Sequence, residues 1–431
     1  SGTGLTEEEN GVTVFGVRRA GDGEFQMPAL SARTVRALFD FLDAFAPDVV
    51  HAHEPALLCL IGQVWAKMHR VPFVHTSHVL PDKVLDFGAT DALDMKLLQG
   101  SFSQSMSRRL LSNFYNNCSA IIALNQPALT ALRAFGYEGK VFVIPNGRDL
   151  EQYAACASAD VAAAEKVLSF IGYLSERKNQ AYLVEAHKHL PTHYKLVVVG
   201  KALNPEYERQ VKQTCKTAGL DNVDLVGQVP HEEIPGLLER THVLVSASRM
   251  EVQSLVVIEA LASGTPVVGL SNETVDELVD DKVGCRLPKE TPPAEFATEV
   301  EHICSLPRPA YEALCKQARD RVSHLDWSNV VSQTVSAYGE IKEERIAASG
   351  SKSAVLADLV SVLPPGEVKD IITEQIDADR GEAGPMRQFF MNLSLGERWK
   401  ALKRVSGSTW LMAGVTIVVS LIGYLFMKER G

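Results

Sequence analysis

Residues Ser246 to Val268 read S-A-S-R-M-E-V-Q-S-L-V-V-I-E-A-L-A-S-G-T-P-V-V, and their order of strand, loop, helix, glycine and strand decides the fold. Val243-Leu244-Val245 predicts a short buried strand. The loop after it carries Glu251, and a helix opening near Gln253 or Ser254 carries Glu259. Ser263-Gly264-Thr265-Pro266 ends that helix, and Val267-Val268 starts the next strand. A helix start presents unpaired N–H groups and a partial positive charge, which suits a diphosphate. A carboxylate only accepts hydrogen bonds, so Glu251 matches sugar hydroxyls and Glu259 a ribose diol. The bland alternative is a solvated helix face with two glutamates. Against it, Glu259 sits among Val256, Val257, Ile258 and Leu261, beside the core stripe.

Working outward, short apolar strands alternate with amphipathic helices from Val12 to about Tyr338, the signature of parallel α/β sheets. Strands are expected at Val12-Val17, Val49-Ala52, Phe73-Thr76, Ala120-Ala123 and Val141-Ile144. A second set is expected at Val167-Gly172, Lys195-Gly200, Val223-Val226, Val243-Ser246 and Val267-Gly269. The chain turns polar and Ala-rich after Pro145-Asn146-Gly147, which marks an interdomain link. Asp326-Trp327-Ser328 opens a further helix.

At 431 residues and 46% hydrophobic, the chain can build two cores and carry an appendage. A net charge of −10 with no basic stripe argues against a nucleic-acid partner. Seven scattered cysteines without a C-x-x-C read as reduced thiols, and no residue cluster has metal-ligand spacing. Trp410 to Met427 is an uncharged apolar run long enough to span a bilayer core, with a buried core helix as the alternative. Arg398, Lys400, Lys403 and Arg404 precede it, and outweigh Lys428 and Arg430 beyond it, so the side before the span is expected to be cytoplasmic. The basic amphipathic stretch from Met386 to Val405 should lie on an anionic membrane surface.

Glu251 and Glu259, in E-V-Q-S-L-V-V-I-E, resemble the Glu-x7-Glu motif of the retaining glycosyltransferases of family 4, and the resemblance runs from about Asn10 to Ile341. It implies the GT-B fold, two Rossmann-like domains facing a cleft. On that basis residues 1–150 form an acceptor-side domain, 151–325 a nucleotide-sugar domain and 326–342 a helix returning to the first. Residues 343–408 are then a linker with a basic juxtamembrane segment, and 409–427 a transmembrane helix. So few residues precede Val12 that the first domain is expected to lack about forty residues, one strand–helix–strand unit.

Family roles carry over where residues match. Glu251 would contact the donor sugar and Glu259 the nucleotide ribose, with Gln253, Ser254 and Leu255 between them replacing the family's glycine-rich loop. Ser169-Phe-Ile-Gly172-Tyr173-Leu-Ser-Glu-Arg177-Lys178 resembles the family's G-R-L-x-x-E-K-G. Gly172 and Lys178 would serve the diphosphate, and Arg177 stands near Tyr173, which replaces the family arginine. Gly200, Val226 and Gly227 end strands at the same edge, where a loop would read the base. Uracil and guanine both stay open there, with a UDP-linked donor the expectation. His78, in H-T-S-H-V-L-P-D-K, matches an active-site histidine. His51, His53 and Lys83 are expected on the acceptor side.

The resemblance thus implies retaining transfer of a hexose from a nucleotide-sugar to a membrane lipid, without a metal or other cofactor. His78, Lys178 and Glu251 are the expected catalytic residues. Gln253 is reminiscent of diacylglycerol glycosyltransferases, and phosphatidylinositol and polyprenyl-linked acceptors stay open. The expected location is the membrane, with one C-terminal anchor and cytoplasmic catalytic domains. Two other classes compete: a catalytically silent membrane-tethered scaffold, and a GT-B-like sugar-nucleotide epimerase.

Overall fold

A computed structural model of the chain describes residues 6–9, 11–17, 19–20, 27–28, 31–53, 57–82, 101–347, 370 and 373. The chain divides into two compact units, residues 1–75, 97–119 and 342–431 forming one, and 76–96 and 120–341 the other.

The first unit opens with two small antiparallel pairs, β1 (Thr6–Glu9) with β2 (Val12–Phe15), and β3 (Arg19–Ala20) with β4 (Met27–Pro28). This corrects the expectation that Val12 begins a parallel alternation. Glu9 pairs with Val12, which leaves only two residues in the turn, and Gly11 takes a φ of +77° there. A two-residue hairpin turn needs that left-handed backbone, and Gly supplies it without a steric cost. Next comes the helix Ala32–Phe45, whose start is capped by Ser31 Oγ accepting the Thr34 N–H at 3.2 Å. Strands β5 (Val50–Ala52) and β6 (Phe73–Ser77) then pair in parallel around the helix Leu57–Met68. The fully buried Trp65 anchors that helix, its indole N–H donating to Asp43 at 2.8 Å.

In the second unit β7 (Ala120–Ala123) and β8 (Val141–Val143) pair in parallel. Six further strands follow: β9 (Lys166–Ile171), β10 (Tyr194–Val199), β11 (Val223–Gly227), β12 (Val243–Ser246), β13 (Val267–Leu270) and β14 (Gly284–Leu287). They form one parallel sheet in the order β11-β10-β9-β12-β13-β14. The chain builds outward from β9 in one direction, then returns to β12 and builds in the other. Such a reversal opens a crevice beyond the carboxyl ends of the two central strands.

Alternation along each strand explains why this sheet is buried on both faces. Val243 and Val245 join one apolar cluster with Leu168, Phe170 and Phe296, while Leu244 between them joins another with Ile258, Leu261 and Val267. Nearly continuous apolar strands are the sequence form of that arrangement. Strand β14 was not expected from the sequence: it is short, and Arg286 interrupts its apolar character.

Two buried histidines make this unit sensitive to acid. His242 Nδ1 accepts the Val167 N–H at 3.1 Å while its Nε2 faces the Asp160 carbonyl at 3.0 Å, an arrangement that uses the neutral ring. Burial pushes the imidazoles of His242 and His187 below their ordinary range. The unfolded chain therefore takes up protons near pH 6.5 that the folded chain refuses, so stability is complete above that pH and falls below it. The slope is about 1.4 kcal/mol per pH unit for each histidine, until the folded value is reached. Thermal unfolding between pH 8 and 5 should show a falling Tm, and His242→Asn should flatten the fall.

Among the described residues no helix is long and apolar enough to cross a membrane. The expected span at 409–427, and the basic segment before it, lie outside the described residues.

Candidate functional site

The site is built at the carboxyl ends of β9, β10, β11 and β12. Gly172, Gly200 and Gly227 stand side by side there, with the Gly172 N–H donating to Val199 O at 2.9 Å and the Gly200 N–H to Gly227 O at 2.8 Å. Gly200 has a φ of +142°, and a Cβ placed on it would lie 2.0 Å from the carbonyl oxygen of Gly172. Only glycine lets these two strand ends approach so closely. Val226 is half exposed beside them, and Tyr173 turns its ring to solvent.

After β9 the chain makes a turn in which Gln180 Nε2 donates to Tyr173 O at 2.8 Å. That turn delivers Lys178 to Glu251, with which it forms an ion pair; Arg177 lies 3.5 Å from the same carboxylate oxygen. The Lys178 and Glu251 side chains are only 14% and 11% exposed, so water screens the pair weakly.

After β12 the loop carrying Glu251 is fixed through its backbone. Arg177 donates to Met250 O at 3.1 Å, Asn125 to Val252 O at 2.6 Å, and Asn272 to Ser248 O at 3.1 Å. Gln253 Oε1 accepts the Asn146 N–H at 2.6 Å, so this side chain is engaged by backbone. The helix Leu255–Ser263 starts from Ser254, which gives no side-chain cap, and closes at Gly264 in the left-handed conformation. Its boundaries match the sequence expectation.

Glu259 lies one turn inside that helix, its side chain 3% exposed. Arg148 makes an ion pair with Oε1, and His231 Nε2 lies 3.3 Å from the same oxygen. The hydroxyl of the buried Tyr153 is 3.4 Å from His231 Nε2. Burial, then the Glu259 carboxylate, push the Tyr153 phenol up, so it stays protonated. Arg148, Tyr153 and His231 were not expected from the sequence. Arg148 follows the turn Pro145-Asn146-Gly147 and reads as an ordinary loop cation, and 111 positions separate it from Glu259.

Of the acceptor-side candidates, His51 lies within β5 and His53 just past its end, their rings stacked at 4.4 Å; His78, expected to be catalytic, follows the end of β6. Lys83 lies outside the described residues. Among the described residues no group of three His, Cys, Asp or Glu side chains is placed to hold a metal ion.

Comparison with known proteins decides the class. The profile of Glycosyltransferase Family 4 matches residues 1–152, and that of Glycosyl transferases group 1 matches residues 157–321. The chain is a family 4 glycosyltransferase. Among similar proteins, D-inositol 3-phosphate glycosyltransferase of Geodermatophilus obscurus is 27% identical over 80% of this chain and 79% of its own length. Alpha-monoglucosyldiacylglycerol synthase of Streptococcus pneumoniae is 24% identical over 55% of this glycosyltransferase and 54% of its own length. Among solved structures, Anabaena HepE in complex with UDP superposes with a TM-score of 0.60 at 21% identity, over 72% of this chain and 82% of that one. The glycosyltransferase thus has a GT-B-like architecture of two α/β domains with parallel sheets.

Proposed function

We propose that this glycosyltransferase moves a hexose, with retention of configuration, from a UDP-linked sugar to a membrane lipid such as diacylglycerol. The observation that carries the donor half is one arrangement. The paired Lys178 and Glu251 stand at the β9–β12 reversal, beside an uncapped helix start, with the buried Glu259 eight residues on. HepE, of related fold, binds UDP.

In this reading Lys178, Arg177 and the first amides of the 255–263 helix hold the diphosphate, with Gly172 and Gly200 letting it approach the backbone. Glu251 receives sugar hydroxyls, Glu259 a ribose hydroxyl, and the strand end at Val226 and Gly227 lies beside the base. As the bond between the anomeric carbon and the phosphate oxygen breaks, the acceptor's hydroxyl oxygen attacks that carbon on the same face and passes its proton to the leaving phosphate oxygen. No protein carboxylate need bond to the sugar, and stabilising the departing charge is the main catalytic work. Side-chain cations and helix amides supply that stabilisation without a metal, so EDTA should leave the rate unchanged. His78 is assigned to the chemistry, and His51, His53 and Lys83 to the acceptor, on the family resemblance alone. The lipid half rests on the similarity to alpha-monoglucosyldiacylglycerol synthase, the apolar run at 409–427 as a single membrane anchor, and the basic stretch before it on the anionic surface.

The test uses the full chain in phospholipid vesicles containing diacylglycerol, supplied with UDP-glucose or UDP-galactose labelled in the sugar. Label should pass into the lipid phase with the α-anomer formed, and Glu259→Ala should lower donor affinity by about tenfold or more. Label passing only to D-inositol 3-phosphate would instead assign a soluble acceptor, as the Geodermatophilus relative's name suggests. Label passing to neither would sink the reading.

A further inference from the structure

Two asparagines carry an inference that rests on the donor reading above and deepens it. Asn125 opens the helix Gln126–Phe135 and Asn272 the helix Glu273–Leu278, both from extended backbone, and they are only 0% and 1% exposed. Asn125 Oδ1 accepts the Ala128 N–H at 2.9 Å, and Asn272 Oδ1 accepts the N–H groups of Thr274 and Val275 at 3.1 Å. Those bonds cap a helix, and serine or aspartate would cap it about as well. What asparagine adds is a second, donating end. Asn125 Nδ2 donates to Val252 O at 2.6 Å and Asn272 Nδ2 to Ser248 O at 3.1 Å, so the two caps grip the loop on either side of Glu251. Asn125 also hydrogen-bonds the Glu277 side chain, and Asn272 Nδ2 the Leu270 carbonyl at 3.2 Å.

The ion pair with Lys178 ties down only the end of the Glu251 side chain; where the carboxylate stands also depends on the backbone that carries it. The gripped carbonyls lie three residues before Glu251 and one after it, and they come under control of two separate helix starts. We propose that Asn125 and Asn272 are positioning residues that set the sugar specificity of the donor site. By holding the backbone on both sides of Glu251, they fix its carboxylate where it receives the hydroxyls of one hexose and not those of its epimer. Both side chains are buried, so they act through Glu251 and not by touching the sugar.

Calorimetric titration of UDP, UDP-glucose and UDP-galactose into the full chain in detergent tests this without an acceptor. The wild type should bind one sugar nucleotide more tightly than the other. Asn125→Ser and Asn272→Ser keep the caps and drop the grip, and each should shrink that preference on the order of tenfold, since discrimination rests on correctly placed hydrogen bonds. Their affinity for UDP, which carries no sugar, should stay at the wild-type value. Glu251→Ala should lose the preference as well, and adding Asn125→Ser to it should change nothing further, as expected of residues acting through one group. The ratio of two affinities does not depend on how much of the sample is folded. If a serine variant does not fold at all, Asn125→Asp keeps the cap and the size, turns an oxygen toward the Val252 carbonyl, and should lose the preference too. Equal weakening toward both sugar nucleotides, with the ratio intact, would make the asparagines merely structural and overturn the inference. Wild-type ratios in the variants, or a wild type that binds both sugars equally, would overturn it too. If the wild type binds neither UDP nor its sugars, the donor reading itself falls and takes this inference with it.

Discussion

Lys178→Ala should lower kcat by about two to three orders of magnitude, the scale at which removing one preorganised charge donor acts on a transition state. The lysine is poorly exposed and paired with Glu251, so its place is set before any ligand arrives. In the transition state the bond to the departing phosphate lengthens and negative charge grows on its oxygen. A cation fixed beside that oxygen gains interaction energy as the charge grows, so kcat should fall more than donor affinity. Arg177, 3.5 Å from the same carboxylate, remains in the variant and should retain part of the diphosphate binding. Steady-state kinetics with circular dichroism as the folding control check this. A variant with unchanged kcat and raised donor KM would move Lys178 from the chemistry to ground-state binding.

The largest effect on stability should come from Gly200→Ala. The new Cβ would lie 2.0 Å from the Gly172 carbonyl oxygen, and the φ of +142° is one that side chains rarely adopt. Both obstacles are backbone, so no rotamer change relieves them. A cost above about 3 kcal/mol follows, a large share of the ~5–15 kcal/mol that holds a domain folded. Gly236→Ala is the control, because nothing lies within 4 Å of its added Cβ and it sits in the helix Ile234–Leu238. Urea unfolding should show a much lower midpoint, or no soluble protein, for the first variant. The second should gain a few tenths to about 1 kcal/mol.

The signals that made the site legible are local ones. Ser254 and Gly264 bound their helix within a few residues of the motif, and caps can be read at that range. The alternation of elements announces a parallel sheet, but the order of its strands, with β12 returning beside β9, is seen only in the structure. What escaped was of two kinds. Arg148, Tyr153 and His231 meet Glu259 across 28 to 111 positions of sequence, and no periodicity links them. The opening hairpin did have a signal, Asn10-Gly11 before an alternating run, but it lost to the wider α/β pattern. Gln253 shows a different limit: its position in the motif was plain, while its engagement by the Asn146 amide depends on a distant turn.

The loop from Ser248 to Ser254 contains no glycine, and it is held through its main chain by Asn125, Arg177, Asn272 and Thr274. Most of its conformational entropy has therefore been surrendered during folding. A donor arriving there has little chain to order, so its binding should carry a small heat-capacity change and a modest entropic penalty. The same rigidity restricts diversification of the enzyme. A loop whose shape is dictated by four surrounding residues cannot be remodelled for a different sugar one residue at a time.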